Sequence, residues 1–357
     1  MGIFFVLLLV PVLIQHIAVR GYNTDYRKKN SFALFIFFLL LTLMVMLRHP
    51  TVGTDTANYI HFFDKYTITE WSDIAGIPLE IGYSVLNKLI TVFTDDPQVL
   101  LAVSGLLVSI MIYPTYRRLC TDTSLTIVLF CTLSTFLMMF SGIRQMLAIG
   151  IGFIAYEFTR KKKLIPFIIT VCTAVLFHTS AFMLAFMYPL FHARITKKWL
   201  YAIVPVLTAV FIFNKPIFRV LALIVERYTD YSIDISATGA YTMLILFAVF
   251  TVFAFIIPDE ARMDSEDVGL RNLLLLALTI QIFAPLHSLS MRMNYYYIIF
   301  IPLLIPRIIE LRREKYKEVA VVGRNIMLGF FLLYFFVNAY TGSNLGVFPY
   351  SFFWEGM

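Results

Sequence analysis

The chain has 357 residues, of which 60% are hydrophobic and only 14% charged, and its formal net charge at pH 7 is +7. A soluble domain carries about 25% charged and about 45–50% apolar residues, so lipid must solvate much of this apolar surface. The composition predicts an integral membrane protein and leaves no room for a separate soluble domain. Basic loops on the cytoplasmic side of a membrane account for the positive charge, so we expect no nucleic-acid partner.

Twelve apolar segments are predicted to cross the membrane, because a spanning helix needs about 20 mostly apolar residues and at least about 17. We interpret the first as a retained helix, since it has neither a basic start nor a small-residue cleavage site. The predicted fold is therefore all-α, a polytopic helical bundle forming one transmembrane domain over residues 1–357. The predicted spans are residues 1–19, 31–47, 98–115, 124–140, 145–159, 164–177, 179–192, 199–213, 241–258, 272–287, 291–306 and 322–339.

Lysine and arginine predict the orientation of these spans. With twelve spans, 21 of the 29 basic residues fall on one side, which the positive-inside rule makes cytoplasmic. Both termini and two long connections, residues 48–97 and 214–240, then face outward. Residues 81–94 could be a thirteenth, re-entrant or interfacial element. The second connection contains an amphipathic stretch with Arg219, Glu226 and Arg227, which is either an interfacial helix or a solvated surface helix.

Three basic residues on the predicted outer side lie at helix ends rather than in open loops: Arg48, Arg144 and Arg292. An arginine near the membrane is costly unless it reaches the headgroups or finds a partner. Snorkelling or pairing with a carboxylate is one explanation. The other is a convergent site for an anion, because guanidinium binds phosphate through two parallel N–H groups and stays charged. The remaining outer basic residues are Lys65, Lys88, Lys215, Arg219 and Arg227.

His178 lies at the same predicted outer level, between two short apolar segments. Imidazole titrates near neutral pH, so His178 is a candidate general base or a hydrogen-bonding group for a sugar hydroxyl. Its alternative role is a hydrogen bond within the helical bundle. His49, His61 and His287 are also predicted to be outside, but no pair has the spacing of a metal site. We therefore predict no metal.

The first outer connection opens with the sequence RHPTVGTDTANY, residues 48–59. Pro50 and Gly53 are expected to break the helix. Asp55 is either the cap of a short following helix or a carboxylate that orients a base or binds a sugar hydroxyl.

A second polar and aromatic group follows, with Glu80 just ahead of Tyr83. Near Arg292, residues 295–297 are three consecutive tyrosines. They are predicted to form either an interfacial aromatic belt or a platform on which sugars stack.

Taken together, these motifs resemble the EpsG-type branch of the Wzy-like polysaccharide polymerases. The resemblance runs from about residue 30 to 310 and depends on the order of several short motifs. Those motifs are Gly53, Asp55 and Tyr59 after Arg48; Glu80 with Gly82 and Tyr83; Arg144 in the sequence IRQMLA; His178 followed by Thr179 and Ser180; and Arg292 near the late tyrosines.

The resemblance implies an enzyme that joins lipid-linked oligosaccharide repeat units at the outer face of the bacterial cytoplasmic membrane. The growing glycan would leave undecaprenyl pyrophosphate for the terminal sugar of the next unit, beside a flippase and a chain-length regulator, without any cofactor. Arg48, Arg144 and Arg292 would bind the pyrophosphate, with Tyr59, Glu80 and Tyr83 beside the substrate. His178, Asp55 or Glu80 would be the base. The alternatives are a transporter or lipid-linked glycan flippase, and a membrane acyltransferase.

Overall fold

The computed structural model describes residues 2–20, 26–133, 135–224, 238–313, 316–341 and 344–355. Within these ranges the chain is helical, and its β-structure is one isolated antiparallel bridge between Arg48 and Phe352. The prediction of an all-α protein is confirmed. Glu226 and Arg227 of the predicted amphipathic stretch lie outside the described residues.

The chain forms two compact units, Met1–Ala185 with Val321–Met357, and Phe186–Ala320. The prediction of one transmembrane domain stays a prediction. Helices of the first unit are α1 Gly2–Arg20, α2 Tyr26–Met46, α3 Thr56–Ile68, α4 Ile81–Thr91, α5 Pro97–Leu119, α6 Thr123–Thr132, α7 Thr135–Ser141, α8 Ile143–Arg160 and α9 Leu164–Val175. The second unit contains α10 Met187–His192, α11 Leu200–Ile212, α12 Asn214–Ile224, α13 Thr238–Ile256, α14 Ser265–Gln281, α15 Ser288–Ile298 and α16 Ile301–Arg313, and α17 Lys317–Thr341 leads back into the first.

Two helices of the described chain, α5 and α17, are long and apolar enough to cross a membrane by length and composition. The number rises to at most five when each of three bent helix pairs is counted as one span. Four further apolar helices are shorter: Gly2–Gln15, Ser31–Met46, Leu164–Val175 and Ala240–Ile256. The prediction of about twelve spans is therefore not confirmed.

Several predicted spans are broken rather than continuous, which a hydropathy count cannot reveal. Residues 291–306 were expected to form one helix, but α15 and α16 meet at a bend of 47°. Pro302 is the second residue of α16 and cannot donate a backbone hydrogen bond to the preceding turn. Residues 124–140 likewise divide into α6 and α7.

Two other apolar segments depart from a regular spanning helix. Residues 179–192 were expected to span, but Thr179–Phe186 is a 3-10 helix and only the short α10 follows it. Residues 81–94 form α4, whose 11 residues are too few to cross a bilayer. Both segments are apolar, as the sequence indicates, but neither forms one continuous α-helix that is long enough to span a bilayer.

In the first unit, arginines near the helix ends that were predicted to be cytoplasmic are paired with carboxylates. Asp122 caps α6 by accepting a hydrogen bond from the Leu125 amide, and it accepts two from the Arg324 guanidinium at 2.7 and 3.0 Å. Glu157 binds both Arg118, at 2.7 Å, and Arg160, at 2.9 Å. These arginines are in the set predicted to be cytoplasmic, and their pairing gives them a structural role in joining helices.

We expect Asp122→Asn to destabilise the protein by about 2 kcal/mol, because it weakens a helix cap and a charge-assisted bidentate contact together. Thermal unfolding of the detergent-purified protein measures the change. Asp95→Asn, at an exposed carboxylate, is the matched control and should leave the melting temperature unchanged. Equal melting temperatures for the two variants would contradict a structural role for the Asp122–Arg324 pair.

Candidate active site

The connection between α2 and α5 begins with a sharp turn. Helix α2 ends at Met46, and Gly53 has a φ of +93°, a left-handed conformation that favours glycine. A Cβ at this position would lie 2.4 Å from the carbonyl oxygen of Phe140. The Thr56 hydroxyl donates to the carbonyl of Val52 at 2.7 Å. The predicted helix break and the short helix after Asp55 are both present, and the connection is seated against α7.

Glycine also determines where Glu80 lies. Glu80 is the residue that precedes α4, and the amide of Gly82 donates to the carbonyl of Leu176 at 2.8 Å. A Cβ on Gly82 would approach that carbonyl oxygen to 2.7 Å, so only glycine allows this close contact. Since Leu176 is two residues before His178, the contact brings Glu80 beside the histidine.

The Glu80 carboxylate links three segments that are distant in sequence. One oxygen, Oε2, forms an ion pair with Nη1 of Arg144 at the start of α8. The other, Oε1, lies 3.2 Å from Nδ1 of His178 and accepts hydrogen bonds from the Thr179 amide at 3.1 Å and the Thr179 hydroxyl at 3.3 Å. The side chains of Glu80 and His178 are each 16% exposed and that of Arg144 is 25% exposed, so the cluster is accessible but largely dry.

This environment keeps Glu80 ionised. Burial raises the pKa of the carboxyl group, but the hydrogen bond with His178, the charge of Arg144 and the Thr179 amide outweigh it and hold the pKa well below its usual range. An anionic Glu80 can only accept a hydrogen bond, so His178 carries its proton on Nδ1 and donates it to the carboxylate as a hydrogen bond. The lone pair of that imidazole is then on Nε2, the nitrogen that can accept a further proton.

Aromatic side chains surround the same arginine. The guanidinium carbon of Arg144 lies 5.9 Å from the centre of the Tyr59 ring, within range of a cation–π contact. Tyr59 in turn packs edge-on against Tyr83, with 5.8 Å between ring centres. Both tyrosines are buried. The predicted binding residues Tyr59, Glu80, Tyr83 and Arg144 are thus brought together.

Arg48 is in electrostatic contact with the same two tyrosines and has no exposed surface. Its Nη1 donates to the carbonyl of Val45 at 2.6 Å. Among the described residues, Nε and Nη2 have no hydrogen-bond partner. Burial lowers the pKa of Arg48 to about 10, opposed by its electrostatic contacts with Tyr350, Tyr59 and Tyr83. The guanidinium is therefore still charged at neutral pH.

Asp55 occupies the cap position of α3, but its side chain makes no capping hydrogen bond. The capping explanation for this carboxylate is therefore wrong, and the half-buried group lies one helical turn before Tyr59. Arg292 lies on α15 in the second unit, in electrostatic contact with Tyr295. Its membership of the site stays a prediction.

Two other predictions, the three late tyrosines and His287, have structural explanations. Tyr295, Tyr296 and Tyr297 are at most 7% exposed, so they form neither an interfacial belt nor an open platform for sugars. His287 caps α15, because its Nδ1 accepts a hydrogen bond from the Leu289 amide at 3.0 Å. In the part of the chain that the structure describes, no group of three or more His, Cys, Asp or Glu residues is placed to hold a metal ion.

Sequence reasoning missed two features around these residues. Thr179 contributes two hydrogen bonds to Glu80, and its position directly after His178 was the available signal. Tyr350 contacts Arg48 across about three hundred residues of chain, and no local pattern indicates such a contact.

The apolar helices, of which α5 and α17 are each long enough to cross a bilayer, indicate an integral membrane protein. The family model described as the EpsG family matches residues 31–352. The chain therefore belongs to the EpsG family, whose function is polysaccharide-polymerase-like, and the resemblance inferred from its motifs is confirmed. No curated protein and no solved structure matches the chain.

Replacing Glu80 with glutamine should lower the stability by about 2 kcal/mol at pH 7, because the charge-assisted bonds are lost. The pKa of Glu80 is lower in the folded protein than in the unfolded chain, so its contribution to stability is fully present above the unfolded-state pKa of about 4.3. That contribution is lost as the pH falls toward the folded-state pKa. Glu80→Gln should therefore melt at a lower temperature than wild type from pH 8 to about 5, and the two melting temperatures should converge under more acidic conditions.

Glu70→Gln, at an exposed position in the same connection, is the control and should follow wild type at every pH. A Glu80→Gln difference that persists unchanged to pH 3 would show that its carboxylate charge is not what stabilises the cluster.

Proposed function

We propose that the protein is a bacterial polysaccharide polymerase that transfers a growing glycan from undecaprenyl pyrophosphate onto a lipid-linked repeat unit. It is proposed to act at the outer face of the cytoplasmic membrane, with about twelve crossings, several of them bent, and with the connection between α2 and α5 on the outer side. The observation that carries the proposal is the cluster of Glu80, Arg144 and His178, which combines a carboxylate, a cation and an imidazole. Membership of the EpsG family supports the same reaction class.

Two arginines supply the positive charge that such a donor requires. Arg144 and Arg48 both neighbour Tyr59, so both cations are proposed to bind the same pyrophosphate. As the glycosidic bond breaks, negative charge develops on the leaving phosphate, and guanidinium groups fixed beforehand stabilise it. Arg292 is proposed as a third binding group.

His178 is proposed as the general base. The acceptor hydroxyl oxygen forms a bond to the anomeric carbon of the donor glycan while the bond from that carbon to the phosphate oxygen breaks. The electron pair of the broken bond stays on the undecaprenyl pyrophosphate, and the hydroxyl proton passes to Nε2 of His178. Glu80 fixes the tautomer of the imidazole through Nδ1 and stabilises the imidazolium that forms.

The remaining predicted residues have binding roles in this proposal. Asp55 has a carboxylate that is not used in helix capping, so it is available to a sugar hydroxyl, and it is the second candidate for the base. Tyr59 and Tyr83 hold Arg144 and shape the apolar side of the site. The partners are the lipid-linked oligosaccharide and the bilayer, with a flippase and a chain-length regulator acting before and after polymerisation.

The deciding experiment supplies purified protein with a synthetic undecaprenyl-pyrophosphate repeat unit and separates the products by size. Wild type should produce a ladder of longer lipid-linked glycans. Arg144→Ala should slow extension by about 10²–10³-fold, the usual effect of removing one group that stabilises developing charge. Arg144→Lys should also be impaired, because a lysine cannot replace a bidentate guanidinium.

Arg160→Lys is the matched control, since Arg160 is paired with Glu157 elsewhere in the first unit, and it should extend like wild type. Unchanged turnover of Arg144→Lys would remove the reason for placing phosphate at Arg144.

The two candidate bases are distinguished by pairing His178→Ala with Asp55→Asn. If His178 is the base, its removal should lower the turnover number by about 10²–10⁴-fold, the range for general base catalysis. Asp55→Asn should then mainly raise KM for the repeat unit. The pH–rate profile gives a second readout, because the acidic limb should disappear only in the His178 variant. The reverse pattern would make Asp55 the base.

A transporter remains the second candidate because bent helix pairs such as α15 with α16 also occur in transporters that bind substrate at helix breaks. Movement of the lipid-linked repeat unit between the leaflets of a vesicle without any extension would establish that function instead. An acyl group transferred to the glycan would indicate the membrane acyltransferase.

A further inference from the structure

Residues 344–355, called here the returning segment, fold back onto the turn that follows α2. The contacts are mostly between backbone groups, so they fix the path of the chain rather than one side chain. Their hydrogen bonds are Gly53 N to Gly346 O at 2.9 Å, Thr54 N to Leu345 O at 2.8 Å, His49 N to Ser351 O at 2.9 Å and Phe353 N to Leu47 O at 2.9 Å.

The returning segment also completes the end of α2. The last carbonyl groups of a helix have no partner within the helix and need one from elsewhere. The hydroxyl of Tyr350 donates to the carbonyl of Met44 at 2.8 Å, and Nη1 of Arg48 donates to the next carbonyl, that of Val45. The Gln98 amide donates to the carbonyl of Met46. Tyr350 and Arg48 are therefore anchored side by side on adjacent carbonyls.

Anchoring through Nη1 leaves one edge of the Arg48 guanidinium uncommitted. Nε and Nη2 are the two nitrogens without a partner among the described residues, and together they form the parallel fork that binds two oxygens of a phosphate. The groups in electrostatic contact with Arg48 are Tyr350, Tyr59 and Tyr83, none of which supplies a negative charge at neutral pH.

A second buried arginine, Arg271, serves as a comparison, because its partners all belong to the protein and give it a structural role. Arg271, 1% exposed, lies 3.4 Å from the Glu260 carboxylate, donates to the Ile195 carbonyl and stacks on Phe255 at 4.2 Å. Arg48 has no carboxylate within ion-pair distance among the residues described. A buried charge without a counter-charge costs several kcal/mol, and an anionic ligand at the free edge would offset that cost.

We propose that the returning segment is part of the donor's phosphate site, with the free Nε–Nη2 edge of Arg48 binding one phosphate and Tyr350 as the residue that positions it. This inference rests on the proposed function and assigns a distinct task to each arginine. Arg144 is already neutralised by Glu80, whereas Arg48 requires its anion from the ligand. Because the guanidinium has no exposed surface, a neighbouring side chain must move aside when the phosphate binds.

The test uses the full chain in detergent and inorganic pyrophosphate as the probe, with titration calorimetry as the measurement. Tyr350→Phe removes the hydroxyl but keeps the ring that packs on Phe4 and Phe140. It should weaken pyrophosphate binding about tenfold, roughly the loss of one hydrogen bond that positions a charged group. Arg48→Lys should weaken it at least as much. Tyr340→Phe is the matched control at an 84% exposed tyrosine and should bind like wild type.

A second variant acts on the backbone of the returning segment. Gly346 has a φ of +66°, and a Cβ there would lie 3.3 Å from the Thr54 amide nitrogen. Gly346→Ala should therefore shift the segment and lower the affinity in the same direction as Tyr350→Phe.

Calorimetry separates positioning from stability, because a merely structural defect lowers the number of binding-competent molecules and leaves the Kd unchanged. A Tyr350→Phe protein with a wild-type Kd would overturn the inference even if its melting temperature fell. A wild-type Kd for Arg48→Lys would do the same. If extension of the repeat unit is nevertheless lost in Arg144→Ala, the proposed function stands. A chain that binds pyrophosphate through Arg48 but never extends the repeat unit would instead reject the proposed function.

Discussion

The carboxylate of Glu80 is the interaction on which the candidate site depends. Its two oxygens contact Arg144, His178 and Thr179, so one side chain joins the starts of α4 and α8 and the turn after α9. The arrangement is possible because Gly82 brings backbone against backbone at Leu176. In a largely dry environment a charge needs such partners. The same partners that stabilise Glu80 also orient an imidazole and an arginine, so stability and chemistry come from one set of contacts.

The arginines of the first unit divide by what neutralises them. Arg118, Arg160 and Arg324 have carboxylate partners that hold helices together. Arg144 has a carboxylate that also contacts a histidine. Among the described residues, Arg48 is in electrostatic contact with tyrosines and donates to a helix carbonyl. The positive charge is thus neutralised by carboxylates at Arg118, Arg160 and Arg324, and it is least neutralised at Arg48. Charge left uncompensated within the protein is what the proposed phosphate ligand would use, which is why Arg48 tells us more than the net charge of +7.

The sequence was sufficient for the helical class and the family, because hydropathy and short ordered motifs are local signals. It left open whether Arg144 pairs with a carboxylate, and the contacts of Glu80 with Arg144 and His178 come from the fold. It was insufficient for the number of spans, since helix breaks such as the one before Pro302 depend on backbone geometry within an unbroken apolar run. It was wrong about the tyrosines at 295–297, whose burial depends on neighbours in the second unit. Tyr350 was missed because its contact is determined by the path of the whole chain.

The order in which the chain is synthesised gives the returning segment a further consequence. The turn after α2 is synthesised before the second unit, Phe186–Ala320, but the backbone groups that complete the turn belong to residues 344–355, which follow that unit. Arg48 is therefore without its neighbour Tyr350 until the second unit has been synthesised. A chain that stalls or inserts incorrectly before that point carries the Glu80 cluster but not the finished surroundings of Arg48. The order of synthesis thus determines when the surroundings of Arg48 are completed.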